Sequence, residues 1–257
     1  MQSFYPTQGL ATLLDRYITR EGLPALREML GVDVLVGQAD MSLLTTAETT
    51  NEFVGELCQG VAGVIPMCNI NPHLTPSPGR ELERLVRAFG FRAVKLQPSY
   101  QYFYPNDRML YPLYAKAEEL GIPAMFHTGS SIFRGARLKY AEPMHLDDVA
   151  VDFPNLTIVM AHSGRGFWYE QAFFLARLHP NVYMEIAGLP PQRLLDYFPE
   201  LERNAEKIIY GSDWPGVPDP RQNIATISAL PLSQRTKDLI LGGNAARILG
   251  LAATPDE

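Results

Sequence analysis

Three residues stand where a side chain can do chemistry, and each stands there in the same way. His127 follows the apolar run IPAMF and precedes the turn-forming TGS. His162 follows LTIVMA and precedes SG, and Asp213 follows KIIYGS and precedes Trp214–Pro215. Each ends a short stretch of branched or aromatic residues of the kind that makes a buried strand, and the proline beyond Asp213 stops regular pairing. Where parallel strands curl into a barrel, their C-terminal ends converge on one rim. Two imidazoles and a carboxylate on such a rim suit Zn2+, Mn2+ or Fe2+, or acid–base catalysis. Each residue also has a structural alternative: a buried histidine bonded to backbone, or an aspartate capping the next turn. The repetition of one arrangement favours the functional role for all three.

Other polar residues leave their roles open. Lys95, in VKLQP, is suited to carboxylation between two metals, to holding a substrate carboxylate, or to pairing with an acid at the surface. Glu185, in VYMEIAG, is equally ambiguous, because alternate strand residues point inward. His73 in NPHLTPSPG and His179 in LHPN read as solvated turn residues, and His145 in AEPMHLDD either covers the site or starts a helix. Tyr100, Tyr102, Phe103 and Tyr104 crowd SYQYFYPND. Arg134 and Arg137 follow His127, and Arg165, Phe167 and Trp168 follow His162. Aromatic faces beside guanidinium groups fit a planar ligand bearing a carboxylate, or a subunit interface. Tyr100, Arg134, Arg165 and Trp214 are the candidate substrate contacts.

The elements that must position these residues recur with one period. Candidate strands at 33–37, 61–67, 91–96, 122–127, 156–162, 182–186 and 208–210 follow one another roughly every 30 residues, the length of a strand, a return helix and two loops. Helices are expected at 11–30, split at Gly22–Leu23–Pro24, and through Leu43, Ala47, Thr50, Val54 and Leu57. More follow at 79–89, 110–120, 145–152, 169–178, 192–204 and 221–228, with 233–241 and 244–249 closing the chain. SYQYFYPND is expected to be a loop.

This is the pattern of a TIM-like (β/α)8 barrel with one unit too few. Nothing before Asp33 reads as a buried strand, so the expected fold is an α/β barrel lacking or substituting its first strand. A doubly wound sheet is the alternative, and the early strands carry no GxGxxG turn to support it. No linker divides residues 1–257, which predicts a single domain.

Composition narrows the function classes. The chain has 257 residues, 46% of them hydrophobic, and a formal charge of -6. That acidity, without a Lys/Arg cluster, argues against a nucleic-acid partner. No apolar run approaches the roughly 18 residues needed to cross a bilayer. MQSFYPTQGL lacks the basic-then-apolar order of a secretion signal, so a cytoplasmic protein is expected. Cys58 and Cys68 are expected as buried free thiols in a reducing compartment.

The segments GFRAVKLQP (90–98), AEELGIPAMFHTG (117–129), FPNLTIVMAHSG (153–164), NVYMEIAG (181–188), KIIYGSDWP (207–215) and GGNAARILG (242–250) carry a further likeness. In order and spacing the chain resembles the amidohydrolase-related family (the amidohydrolase-2 group). That family includes metal-dependent hydrolases and decarboxylases of the aminocarboxymuconate semialdehyde and resorcylate types. The resemblance implies a distorted TIM barrel and a bound metal, most commonly zinc. It implies that His127 is a ligand, that His162 is a ligand or polarising group beside the metal, and that Asp213 is both ligand and acid–base residue. A homodimer is also implied.

One departure matters: members begin with a strand ending in His-x-His, and this chain has no such pair, its first histidine being His73. The absent pair and the absent strand are one event, expected of a shortened form or of a variant that has lost tight metal binding. The function expected first is metal-dependent hydrolysis of a small carboxylated cyclic or aromatic substrate. The alternatives are non-oxidative decarboxylation of an aromatic or muconate-like acid and a catalytically silent ligand-binding barrel.

Overall fold

The computed structural model describes residues 7–42, 48–217 and 219–251, with side chains from residue 11 onward. Its strands are β1 (Leu35–Gln38), β2 (Asp40–Met41), β3 (Glu48–Thr49), β4 (Val64–Asn69), β5 (Ala93–Leu96), β6 (Ala124–Gly129), β7 (Ile158–Arg165), β8 (Val182–Glu185) and β9 (Ile208–Ile209). Seven of them form one parallel sheet in the order β1-β4-β5-β6-β7-β8-β9, and β2 and β3 pair separately, antiparallel. All the expected strands are present, offset by a few residues. Their near-continuous apolar runs reflect burial on both faces, as a parallel sheet under helices requires; β4 and β5 are buried at every position.

The order is strictly sequential, so the sheet has no switch point and is not doubly wound. It curls through 206°, a half-barrel. Among the described residues β1 and β9 each have a single neighbour in this sheet and do not pair with one another. The fold is an incomplete TIM-like barrel, as expected. The helical layer bridges the gap the sheet leaves. Arg221, on helix Pro220–Ser228, donates from Nε to Met29 O at 2.8 Å and from Nη2 to Glu28 O, both at the end of helix Leu23–Leu30. A cation on these terminal carbonyls is favourable both as a hydrogen bond and against the helix dipole.

Several expected elements differ. The helix read through Leu43 and Thr50 spans only Asn51–Cys58, because the Thr50 side chain accepts from Phe53 N and caps it; residues 43–47 lie outside the described residues. The helix expected over 192–204 breaks into Pro191–Arg193, Leu194–Tyr197 and Leu201–Lys207. Phe198 precedes a proline and takes φ -132°, ψ 76°, outside the helical region. Gln234–Asp238 runs through a π turn at Leu239–Gly243 straight into Asn244–Ile248, so the closing pair is one winding. A buried helical turn, Pro98–Gln101, runs into the start of SYQYFYPND.

Cys58 and Cys68 are buried and unpaired, as expected. Burial pushes the Cys58 thiol up to about 11 and Cys68 higher still. His179, expected in solvent, is instead half-buried, with Nε2 2.7 Å from Asp147 Oδ1. Among the described residues no helix is long and apolar enough to cross a membrane.

Candidate active site

The carboxy-terminal ends of β5 to β9 present Lys95, His127, His162, Glu185 and Asp213 to one another. Register places His127 opposite Ala161, the neighbour of His162, and Ala161 opposite Glu185. The His127 and His162 rings consequently meet edge to face, with centroids 4.7 Å apart. Tyr100, carried by the turn Pro98–Gln101, lies on His127 at the same 4.7 Å separation, and its hydroxyl is 3.0 Å from Ser131 Oγ.

Beyond Ala161 the backbone leaves the ladder. His162 and Ser163 take φ of 63° and 48°, and Asp213 takes 55°. Side chains rarely adopt that left-handed region, and surrounding structure must hold them there. Ser163 Oγ donates to Glu185 O at 2.8 Å, and Gly164 N donates to Thr128 Oγ1 at 3.0 Å. The buried Glu185 carboxylate accepts from His162 N at 3.2 Å and Ala187 N at 3.1 Å. His162 Nδ1 lies 2.9 Å from Ala187 O. A carbonyl can only accept, so Nδ1 carries the proton and Nε2 offers its lone pair.

Gly188, at φ +69°, lets three of these groups share one floor. A Cβ there would fall 2.4 Å from Arg165 Nη1, 3.0 Å from Asp213 Oδ2 and 3.5 Å from His162 Nδ1. Arg165 is itself anchored, donating to Ser130 O at 2.9 Å. Burial holds both imidazoles well below the usual histidine range. His162, Lys95 and Arg165 add to the effect at His127, as Lys95 and Arg165 do at His162. Both rings are therefore neutral at pH 7. Asp213 keeps an open face to solvent at the mouth, yet enough protein surrounds its carboxyl to raise it, against the pull of Arg165 and Lys95. Burial raises Glu185 to about 7, with Lys95 opposing and Asp213 reinforcing. Burial lowers Lys95, while Glu185, Asp213 and Asp40 draw it back up.

Tyr100, His127, His162, Arg165 and Asp213 thus come together. Arg134 remains exposed on the loop after β6, and it is Arg165 whose charge is felt across the cluster. Trp214 is half-buried against the core, followed by a cis bond to Pro215. His145 begins helix His145–Asp152 and meets Tyr104 edge to face, with ring centroids 4.8 Å apart. Asp40 went unremarked in the sequence, although it follows the strand-like VLVGQA as His127 follows IPAMF.

A neutral imidazole with one nitrogen anchored on a carbonyl and the other free is the usual state of a metal-ligating histidine. With a second imidazole and a carboxylate nearby, the donor types fit a divalent ion. Among the described residues, however, no three His, Cys, Asp or Glu side chains converge closely enough to enclose one.

The Amidohydrolase family model matches residues 2–251. The chain belongs to the amidohydrolase family. It is therefore a member of an enzyme family. Among relatives, it is 24% identical over 243 residues to 2-amino-3-carboxymuconate-6-semialdehyde decarboxylase of Dictyostelium discoideum, covering 80% of this chain and 63% of that protein. The chain spans less than two thirds of the length of the curated relatives it matches. Among solved structures it resembles an uncharacterized TIM-barrel protein from Bordetella bronchiseptica, at TM-score 0.74 and 25% identity, over 90% of this chain and 82% of that one. It also shares the fold of a 5-carboxyvanillate decarboxylase from Novosphingobium aromaticivorans, solved with manganese and 4-hydroxy-3-methoxy-5-nitrobenzoic acid. That match has TM-score 0.71 and 16% identity, over 96% and 84% of the two chains. The activities in these names are decarboxylations of small carboxylated molecules.

Proposed function

We propose that this amidohydrolase family member decarboxylates a small cyclic or aromatic acid without an oxidant. One observation carries the reading. Asp213, an acid with a raised pKa, shares the Gly188 floor with the cation Arg165 and the neutral ring of His162. A proton donor beside a cation that can hold a carboxylate is what protonation of carbon with loss of CO2 requires. The Dictyostelium decarboxylase, aligned over 80% of the chain, supports the same choice.

In this scheme Arg165 binds the substrate carboxylate and Tyr100 lies along the substrate ring. A cavity of about 380 Å3 also touches Tyr100, but it is lined by Leu74, Gln101 and Tyr102 rather than by His127, His162, Arg165 or Asp213. The Asp213 carboxyl delivers its proton to the ring carbon that bears the carboxylate. The bond to that carboxylate then breaks, its electron pair returns to the ring, and CO2 leaves. Asp213 regains a proton from solvent through its open face. His127, His162 and Asp213 are the donors that would hold a divalent ion, manganese or zinc, once drawn closer than they lie here; such an ion would supply Lewis-acid stabilisation of negative charge on substrate oxygen.

Hydrolysis, the first expectation from the sequence, asks Asp213 to accept a proton from water. A raised pKa serves either role, and it is the cation Arg165 on the same floor, placed to hold a carboxylate, that favours decarboxylation. The test is release of 13CO2 from carboxyl-labelled 5-carboxyvanillate and 2,6-dihydroxybenzoate with Mn2+ or Zn2+ added, beside a panel of lactones and amides. CO2 release supports decarboxylation. Hydrolysis of the panel without CO2 overturns it, and silence on both sets leaves the ligand-binding barrel.

A further inference from the structure

We propose that Glu185 is the positioning residue for His162, fixing both its backbone conformation and its ring tautomer through one closed circuit of hydrogen bonds. The ladder between β7 and β8 stops at the pair Ala161 and Glu185. Immediately afterwards His162 turns into the left-handed region, where its amide loses its strand partner. An unpaired buried N–H is costly, and the Glu185 carboxylate takes that partner's place. Oε2 accepts from His162 N at 3.2 Å, and Oε1 accepts from Ala187 N at 3.1 Å. Ala187, held by its N–H, carries on its other side the carbonyl that lies 2.9 Å from His162 Nδ1. The circuit therefore runs from the His162 amide through Glu185 and Ala187 back to the His162 ring.

Two further features belong to the same device. Glu185 O accepts the Ser163 hydroxyl at 2.8 Å, tying the second left-handed residue to the same strand end. Gly211 is bare where the carboxylate lies: a Cβ on it would fall 1.6 Å from Glu185 Oε1. The carboxylate could yield to that Cβ only by giving up its bonds. Glu185→Ala breaks the circuit by deletion, Glu185→Gln by replacing an acceptor oxygen with a donor NH2, and Gly211→Ala by displacement, leaving Glu185 in the sequence.

The test is long-range 1H–15N NMR of the histidine-labelled 257-residue chain without substrate, which stands or falls separately from the proposed decarboxylation. In the wild type the His162 signal is that of the Nδ1–H tautomer, with slow proton exchange. Glu185→Gln and Gly211→Ala should both speed that exchange about tenfold or more, the worth of one buried hydrogen bond, and mix in the Nε2–H tautomer. Val94→Ala, a buried change on β5, is the control for a general loss of stability and should leave the signal unchanged. Should Glu185→Ala fail to fold, the other two variants decide. An Nδ1–H signal unaltered in both, or moved equally by Val94→Ala, overturns the proposal.

Discussion

The two halves of the sheet end their strands differently. At the ends of β4 and β5 the prominent polar groups are amides that satisfy one another. Asn69 Oδ1 accepts from Met41 N at 3.0 Å and Gln101 Nε2 at 2.7 Å, and Asn69 Nδ2 donates to Lys95 O at 2.9 Å. Asn69 also exchanges its backbone N–H and C=O with the Asn51 side chain, both at 2.9 Å. At the ends of β6 to β9 the groups are ionisable: Glu185 is held through both oxygens, while His162 and Arg165 are anchored on one side only, His162 by Nδ1 and Arg165 by its bond to Ser130. Neutral amides bonded to one another through Asn69 make a latch, although Gln97 Oε1 beside it is buried without a partner among the described residues. Buried ionisable groups are costly to keep, and here they retain open valences. The comparison teaches that one half of the rim holds shape while the other is left able to react.

The largest expected effect lies on the reactive half. Asp213→Asn should lower kcat by about 1,000-fold or more, by analogy with the removal of a general acid, with little change in melting temperature. Steady-state kinetics beside a thermal melt checks this; a fall in both together would make Asp213 structural. Next, on the latch, Asn69→Ala should cost about 3 kcal/mol of stability, since several buried partners are left unpaired together. Urea unfolding checks it, and a loss under about 0.5 kcal/mol would remove the distinction between the halves. Gly188→Ala should raise KM about tenfold by pushing Arg165 from the shared floor, with a stability loss near 1 kcal/mol from its left-handed backbone; an unchanged KM would separate Arg165 from substrate binding. The smallest effect concerns the core: with the Cys58 thiol raised to about 11, the native protein at pH 8 should release almost no colour from Ellman's reagent until denaturant is added. Rapid labelling of the native protein would contradict the burial of both thiols.

How much of this was legible in the sequence follows from the range of the interactions. The seven sheet strands were legible because each is a local run of branched or aromatic residues, and His127, His162 and Asp213 because they end such runs. That the described residues hold seven sheet strands rather than eight was legible for the same reason: nothing before Asp33 has that composition. Thr50 misled, since a helix cap and a helical position look alike when Val54 and Leu57 follow at the right spacing. Pro199 carried a usable signal against a helix over 192–204. Glu185 remained ambiguous because its partners are main-chain amides, one of them 23 residues away at His162. His179 read as solvated because Asp147, 32 residues earlier, is brought to it only by the fold.

The most direct test of the central claim, that Asp213 delivers a proton to substrate carbon on this rim, is turnover of 2,6-dihydroxybenzoate in D2O with Mn2+ present. The account predicts one deuterium on the product ring at the carbon that lost its carboxylate, formed by the wild type and not by Asp213→Asn. Deuterated product formed at an undiminished rate by Asp213→Asn, or loss of carboxylate without deuterium at that carbon, would contradict it.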